Sequence, residues 1–237
     1  MNKIINGTAA ARKYNLNSVK LTGTIIGDAV FSHNLTRKSD GATLPFLRFT
    51  LEVPRLSGVS DYLQVVTLEE TWDAYIDRQE QIVGAGAEVH VSGHLQSYNR
   101  FDMEAGKSKL DLFVYARSLG NFMDAEPIQA DNNNAVALEG FVCKPPAVRQ
   151  TPLGRTIADV LVAVNRRGAS SYIPVIMWGN NAVDAQSLVI GDKLLIAGRF
   201  QSREYTKNID DETLTLTAYE LSASKVKLLE NSSLAHF

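Results

Sequence analysis

The 237-residue chain has very little cysteine: Cys143 is the only one, so no intrachain disulfide can form. That fits a reducing compartment. A catalytic role for this thiol is disfavoured, because the run Gly140-Phe141-Val142-Cys143 reads as a buried strand in which Cys behaves as a small hydrophobe. Histidine is almost as scarce, at His33, His90, His94 and His236. His90 and His94 fall four apart on what reads as a strand, where they are not helix-type neighbours, and no Cys pair or His-Glu cluster suggests zinc. Glycine-rich phosphate loops are missing. No apolar run approaches the ~18 residues of a membrane span, and no signal-peptide core follows Met1-Asn2-Lys3. Charge of one sign is missing too, with 24 Lys and Arg against 26 Asp and Glu. These absences point to a non-enzymatic, cytoplasmic protein without metal or cofactor. The acidic pairs Glu69-Glu70 and Asp210-Asp211 read as a helix start and a solvated turn.

The main positive feature is an internal repeat. Val19-Lys20-Leu21-Thr22-Gly23 matches Val136-Ala137-Leu138-Glu139-Gly140. Gly86 to Ser97 matches Gly191 to Ser202, as Gly-x-charged, a strand, then Gly-x-apolar-Gln-Ser. Ala116-Arg117-Ser118-Leu119 lies over Ala223-Ser224-Lys225-Val226. The repeat divides the chain into an arm (1–16), a first unit (17–121), a linker (122–133) rich in Asn, Asp and Pro, a second unit (134–230) and a short tail (231–237).

Each unit reads as three strands, a helix and two strands. In the second unit the strands run Ala135–Val142, Ile157–Asn165, Tyr172–Trp178, Lys193–Gln201 and Thr213–Leu221, with a helix from about Ala182 to Val189. In the first unit Trp72, Tyr75, Ile76 and Val83 keep helical spacing and predict a longer helix. The fold class is therefore all-β: two tandem five-stranded barrels with the connectivity of the OB-fold, each with a helix between strands three and four. Other five-stranded barrels satisfy the same pattern.

One set of motifs narrows this. The segments are Val148-Arg149-Gln150-Thr151-Pro152-Leu153-Gly154, Ile157-Ala158-Asp159, Val175-Ile176-Met177-Trp178-Gly179, Leu188 with Gly191-Asp192-Lys193, and Ile196-Ala197-Gly198-Arg199-Phe200-Gln201-Ser202-Arg203. In their order and spacing they resemble the bacterial single-stranded DNA-binding protein family, in a version with two barrels per chain. The resemblance covers nearly the whole second unit; the first unit keeps the glycines and strand order only. It implies binding of single-stranded DNA in replication, recombination or repair. It also implies a homodimer with four barrels, and contact with replication or repair proteins. The family's acidic recruiting tail is not expected, since the chain ends Asn231-Ser232-Ser233-Leu234-Ala235-His236-Phe237.

A sequence-tolerant binder of single strands stacks bases on aromatic rings and meets phosphates with Lys and Arg. By the resemblance, the stacking positions of the second unit are Tyr172, Trp178 and Tyr205, the last in an expected loop from Ser202 to Thr213. Trp178 reads equally well as a core residue. Basic candidates are Arg149, Arg155, Arg166, Arg167, Arg199, Arg203 and Lys207, each of which reads as well as an ordinary solvated side chain. In the first unit the counterparts are Tyr62 for Tyr172 and Leu68 for Trp178. Tyr98, Phe101 and Arg100 fall near the position of Tyr205. The second unit carries eleven basic against ten acidic residues, the first ten against thirteen, so the second is expected to be the stronger DNA surface. The alternative is a protein-interaction module of a replisome or primosome, and RNA binding uses the same chemistry.

Overall fold

A computed structural model describes residues 15–78, 84–102, 106–120, 133–166, 168–209 and 212–229. Among the described residues, eleven strands form one continuous sheet that closes on itself twice. The first circuit contains β1 (Asn17–Thr36), β2 (Thr43–Pro54), β3 (Ser60–Leu68), helix α1 (Glu69–Ile76), β4 (Glu88–Asp102) and β5 (Lys107–Gly120). It closes because β1 pairs with both β2 and β4, while β3 and β5 pair in parallel. The second contains β6 (Asn134–Val142), β7 (Ala147–Gln150), β8 (Thr156–Arg166), β9 (Ala169–Trp178), helix α2 (Asn180–Asp184), β10 (Lys193–Ile209) and β11 (Glu212–Leu229). It closes through β6–β8, β6–β10 and a parallel β9–β11 pair. Each circuit is an OB barrel.

Alternation places the core. Val19, Leu21 and Ile25 of β1 and Ala158, Val160, Val162 and Val164 of β8 are all buried and point inward. The first strand must bend sharply to serve two neighbours, and the two barrels solve this differently. In β1 the register shifts between Ile26 and Val30, beside Gly27 at φ 74°. In the second barrel Pro145 and Pro146 interrupt the ladder, so the equivalent strand is split into β6 and β7.

The barrels join where β1 pairs antiparallel with β6, and Val19 faces Val136. These two valines occupy the same position in the repeat, so a pseudo-twofold axis passes between them. The symmetry reaches individual hydrogen bonds. Asn17 donates from Nδ2 to Leu95 O and accepts from Leu95 N at 2.9 Å each. Asn134 does the same to Phe200, at 2.6 and 2.9 Å. Gly86 N donates to Ile25 O and Gly191 N to Val142 O, at 2.8 and 2.9 Å.

Several expectations need correction. The segment from Ser202 to Thr213 is not a loop. β10 and β11 stay paired out to Ile209 and Glu212, forming a long ribbon in which Tyr205 faces Leu216. β4 and β5 form a matching ribbon out to Asp102 and Lys107. A ribbon that leaves the barrel has no buried face, so its strands need no apolar alternation. Helix α1 ends at Ile76; Val83 lies outside the described residues. Helix α2 begins at Asn180 and gives way to a 3-10 turn over Ala185–Ser187. Only Ala182 and Ala185 of that segment are fully buried, too little apolar surface to hold a longer helix. β6 stops at Val142, leaving Cys143 half-buried just beyond it, with its Sγ 3.0 Å from Leu161 O. Burial pushes its thiol pKa up, against a reactive thiolate. Residues 1–14 of the arm, residues 121–132, which include all of the linker but Asn133, and residues 230–237 with the tail lie outside the described residues. Asn15 Oδ1 accepts from Asn165 N at 3.0 Å, so the described end of the arm touches the second barrel.

Candidate nucleic-acid interface

The outer face of β9 carries Tyr172, Pro174, Ile176 and Trp178 in alternation. Tyr172 is 41% and Trp178 40% exposed, so Trp178 is a surface residue, not a core one. Ile157 of β8 pairs with Trp178 on one side and Arg149 of β7 on the other. Residues paired directly across strands share a face, so Arg149, Ile157 and Trp178 form one row, with Ile157 covered between its neighbours. Arg149 is also ion-paired with Asp159 at 2.9 Å. Arg155 sits exposed beside Gly154 in the β7–β8 turn. On the β10–β11 ribbon, the Arg203 guanidinium lies 5.8 Å from the centre of the Tyr205 ring, a cation–π arrangement. Arg203 also reaches Glu220 at 3.7 Å. Arg167 and the Lys207 side chain lie outside the described residues.

A concave surface lies on the first barrel as well. A groove of about 880 Å³ runs over the outer face of β2 and β3, between the far end of β1 and the β4–β5 ribbon. Its lining includes His33, Arg48, Gln64, Tyr98, Arg100 and Phe113. The second barrel contributes Arg166 and Tyr219. The Tyr98 and Phe113 rings meet edge-on at 6.0 Å. Arg100 is ion-paired with Asp111 at 2.8 Å, and burial together with Asp111 pushes the Tyr98 phenol pKa up, keeping it neutral. Tyr62 and Phe101 are exposed but do not line this groove.

Of the sequence-derived candidates, the groove therefore gathers Tyr98, Arg100 and Arg166. The outer sheet of the second barrel gathers Tyr172, Trp178 and Arg149. Arg199 belongs to neither; it lies at the junction of the barrels, 3.9 Å from the Asp61 carboxylate. His33, Phe113 and Tyr219 were not anticipated. Their ring chemistry was visible, but their convergence from three strands and two barrels was not.

The junction has two crossings related by the pseudo-twofold. At the first, Tyr62 N donates to Ser202 Oγ (2.9 Å); at the second, Tyr172 N donates to Ser97 Oγ (2.7 Å). At the first crossing Asp61 is 0% exposed and accepts from Arg55 Nε (2.9 Å), Arg55 Nη2 and Ser202 N (2.8 Å). Arg55 also donates to Ser202 O at 2.9 Å. The hydrogen bond to Asp61 raises the Arg55 pKa further.

At the second crossing His94 is 9% exposed, and burial, with Arg117 and Arg166 adding positive potential, lowers its pKa from 6.5 to about 4. Unfolded His94 takes up its proton near pH 6.5 and folded His94 only near pH 4. Between those values the unfolded chain binds more protons, so stability falls as pH falls through that window and is unaffected above it. The expected loss is on the order of 2–3 kcal/mol. His94→Gln should flatten that stretch of the stability profile, measured by urea unfolding from pH 7 to pH 4.

The Single-strand binding protein family matches residues 133–229, the second barrel. A Single-stranded DNA-binding protein of Clostridium tetani is 33% identical over 105 residues, covering 41% of this chain and 70% of the relative. A Single-stranded DNA-binding protein of Thermus thermophilus is 28% identical over 154 residues, covering 59% of this chain and 54% of the relative. Among solved structures, the wild-type single-stranded DNA binding protein from Thermus aquaticus aligns over 94% of this chain and 98% of its own, with a TM-score of 0.64. At 22% identity that likeness speaks for the fold of both barrels. The glycines, the barrel closure and the sequence relatives converge, and the chain belongs to the single-strand binding protein family.

Proposed function

We propose that the chain binds single-stranded DNA with little regard to sequence and catalyses no reaction. The observation that carries this reading is the groove of the first barrel, where exposed rings and three arginines share one wall-lined surface. Rings give bases a stacking partner irrespective of identity, and guanidinium groups meet the phosphates between them. The Tyr172–Trp178–Arg149 face offers a second, shallower patch of the same chemistry. The relatives named above are single-stranded DNA-binding proteins, which supports the same reading. A role in replication, recombination or repair, contact with the proteins of those processes and a nucleoid location go with it. Two copies, each with two barrels, would supply four; light scattering should find a dimer, and a stable monomer would remove that part.

The test is a titration with oligo-dT. Trp72 packs against Phe49 at 5.2 Å, so Trp72→Phe leaves Trp178 as the sole reporter. Binding should quench it and weaken with salt, with a log–log slope of about −0.7 per phosphate neutralised. No quenching at low salt, together with no mobility shift, would favour a protein-interaction module. Tyr98→Ala and Tyr172→Ala should each cost about 1–3 kcal/mol of binding. Equal losses would mean that both barrels hold the strand; loss from Tyr172→Ala alone would return the main site to the second barrel.

A further inference from the structure

The two crossings between the barrels are equivalent in backbone but not in charge. Position by position, Asp61 corresponds to Ser171, Arg55 to Arg166 and Arg199 to His94. The first crossing thus has a carboxylate held by an arginine and by a backbone N–H. The second keeps the arginine but has a hydroxyl where the carboxylate would be.

Two buried polar groups of this crossing are left unpaired among the described residues. Ser171 is 0% exposed, and its Oγ has no hydrogen-bond partner among the described residues. Gln96 Nε2 lies 2.7 Å from His94 Nε2. An amide NH₂ only donates, so His94 Nε2 accepts and the imidazole proton sits on Nδ1. That Nδ1 is buried and also has no partner among the described residues. Arg166 and Arg117 add positive potential at His94. Two buried unpaired groups and the positive potential of two arginines, at the crossing whose sister holds a carboxylate, are complementary to an oxyanion.

We infer that the second crossing, built by Ser171, His94 and Arg166, is an oxyanion site that takes one phosphate group. The crossing adjoins the groove: Arg166, Gln96 and Ser97 line it, Ser97 Oγ is bonded to Tyr172 N beside Ser171, and Ser171 and His94 are not themselves part of the lining. A backbone phosphate of a strand in that groove and free phosphate present the same chemistry. The first source rests on the single-strand reading above; the second does not.

The experiment uses the full chain and inorganic phosphate, titrated at constant ionic strength against chloride. A tenfold excess over Kd should raise the melting midpoint by about 4 °C, and the His94 imidazole resonance should move saturably. Ser171→Asp supplies the oxyanion covalently. It should raise the midpoint without phosphate and abolish the phosphate response. Ser171→Ala removes one donor without adding charge and should weaken the response, which keeps the test valid if the Asp variant folds poorly. No midpoint rise over chloride and no saturable movement of the His94 resonance in the parent chain, or an undiminished response in both Ser171 variants, overturns the inference. With oligo-dT, Ser171→Asp should reduce the salt slope by about 0.7 if a backbone phosphate occupies the site. An unchanged slope with the phosphate response lost identifies free phosphate as the occupant. Failure of the single-strand reading would appear as no oligo-dT binding by the parent chain, with the phosphate response intact.

Discussion

Asp61→Ala is expected to destabilise the fold by about 3–5 kcal/mol, read as a fall in the urea midpoint. The side chain is fully buried and ties Arg55, Arg199 and the backbone of Ser202 together across the barrel junction. Its removal leaves guanidinium groups partly buried without a counter-charge, which is worse than never having the pair. Asp61→Asn keeps the shape and should lose less, since the amide oxygen can still accept from Ser202 N. A swap offers a sharper check: Asp61→Ser combined with Ser171→Asp moves the carboxylate to the other crossing, where Arg166 stands in the place of Arg55. The double variant should regain part of the loss. If Asp61→Ala unfolds at the parent midpoint, the junction is held by strand pairing alone.

Gly198→Ala should cost at least about 3 kcal/mol, and Gly93→Ala a similar amount. A Cβ at Gly198 would lie 2.1 Å from Ser222 O, and one at Gly93 would lie 2.0 Å from Tyr115 O. Both obstacles are backbone carbonyls of the partner strand, so no side chain can swing aside. Each glycine follows a register shift, between Ser92 and Gly93 or between Ala197 and Gly198, where β4 or β10 slides against its partner. By contrast a Cβ at Gly84 meets nothing within 4 Å, so Gly84→Ala should be close to neutral and serves as the control. Thermal midpoints of the three variants decide it; equal, small shifts would mean that the strands can part locally.

Those glycines show why so much of the fold was readable. The repeat was recognised by Gly23, Gly93, Gly140 and Gly198, and a Cβ at each of the four would come within 2.7 Å of a backbone carbonyl oxygen. Close backbone approach admits no other residue, so the pattern survives where side chains diverge. Strand order and alternation carried the rest, including the correspondence of Leu68 with Trp178. Asn17 and Asn134 passed unremarked, although each stands two residues before its valine in the repeat; a polar residue ahead of a strand reads as ordinary punctuation. The ribbons were half legible. Leu214 and Leu216 alternate with threonines, but their partners around Arg203 and Tyr205 are polar and read as a loop. The groove was not legible, because it is assembled from β1 to β5 and from two residues of the other barrel. Charge counts favoured the second barrel, and a count cannot register that Arg166 of that barrel reaches over the first.

The axis between Val19 and Val136 has a consequence for directionality. A nucleic-acid strand has distinct 5′ and 3′ ends, and two surfaces related by a half-turn meet it running opposite ways. Identical subunits must offer the same surface in both orientations. Carrying both barrels on one polypeptide lifts that obligation: Leu68 can differ from Trp178, and Ser171 from Asp61, with no compromise between them. Each chain can therefore favour one heading of the polymer, giving an otherwise two-faced junction a sense of forward and back.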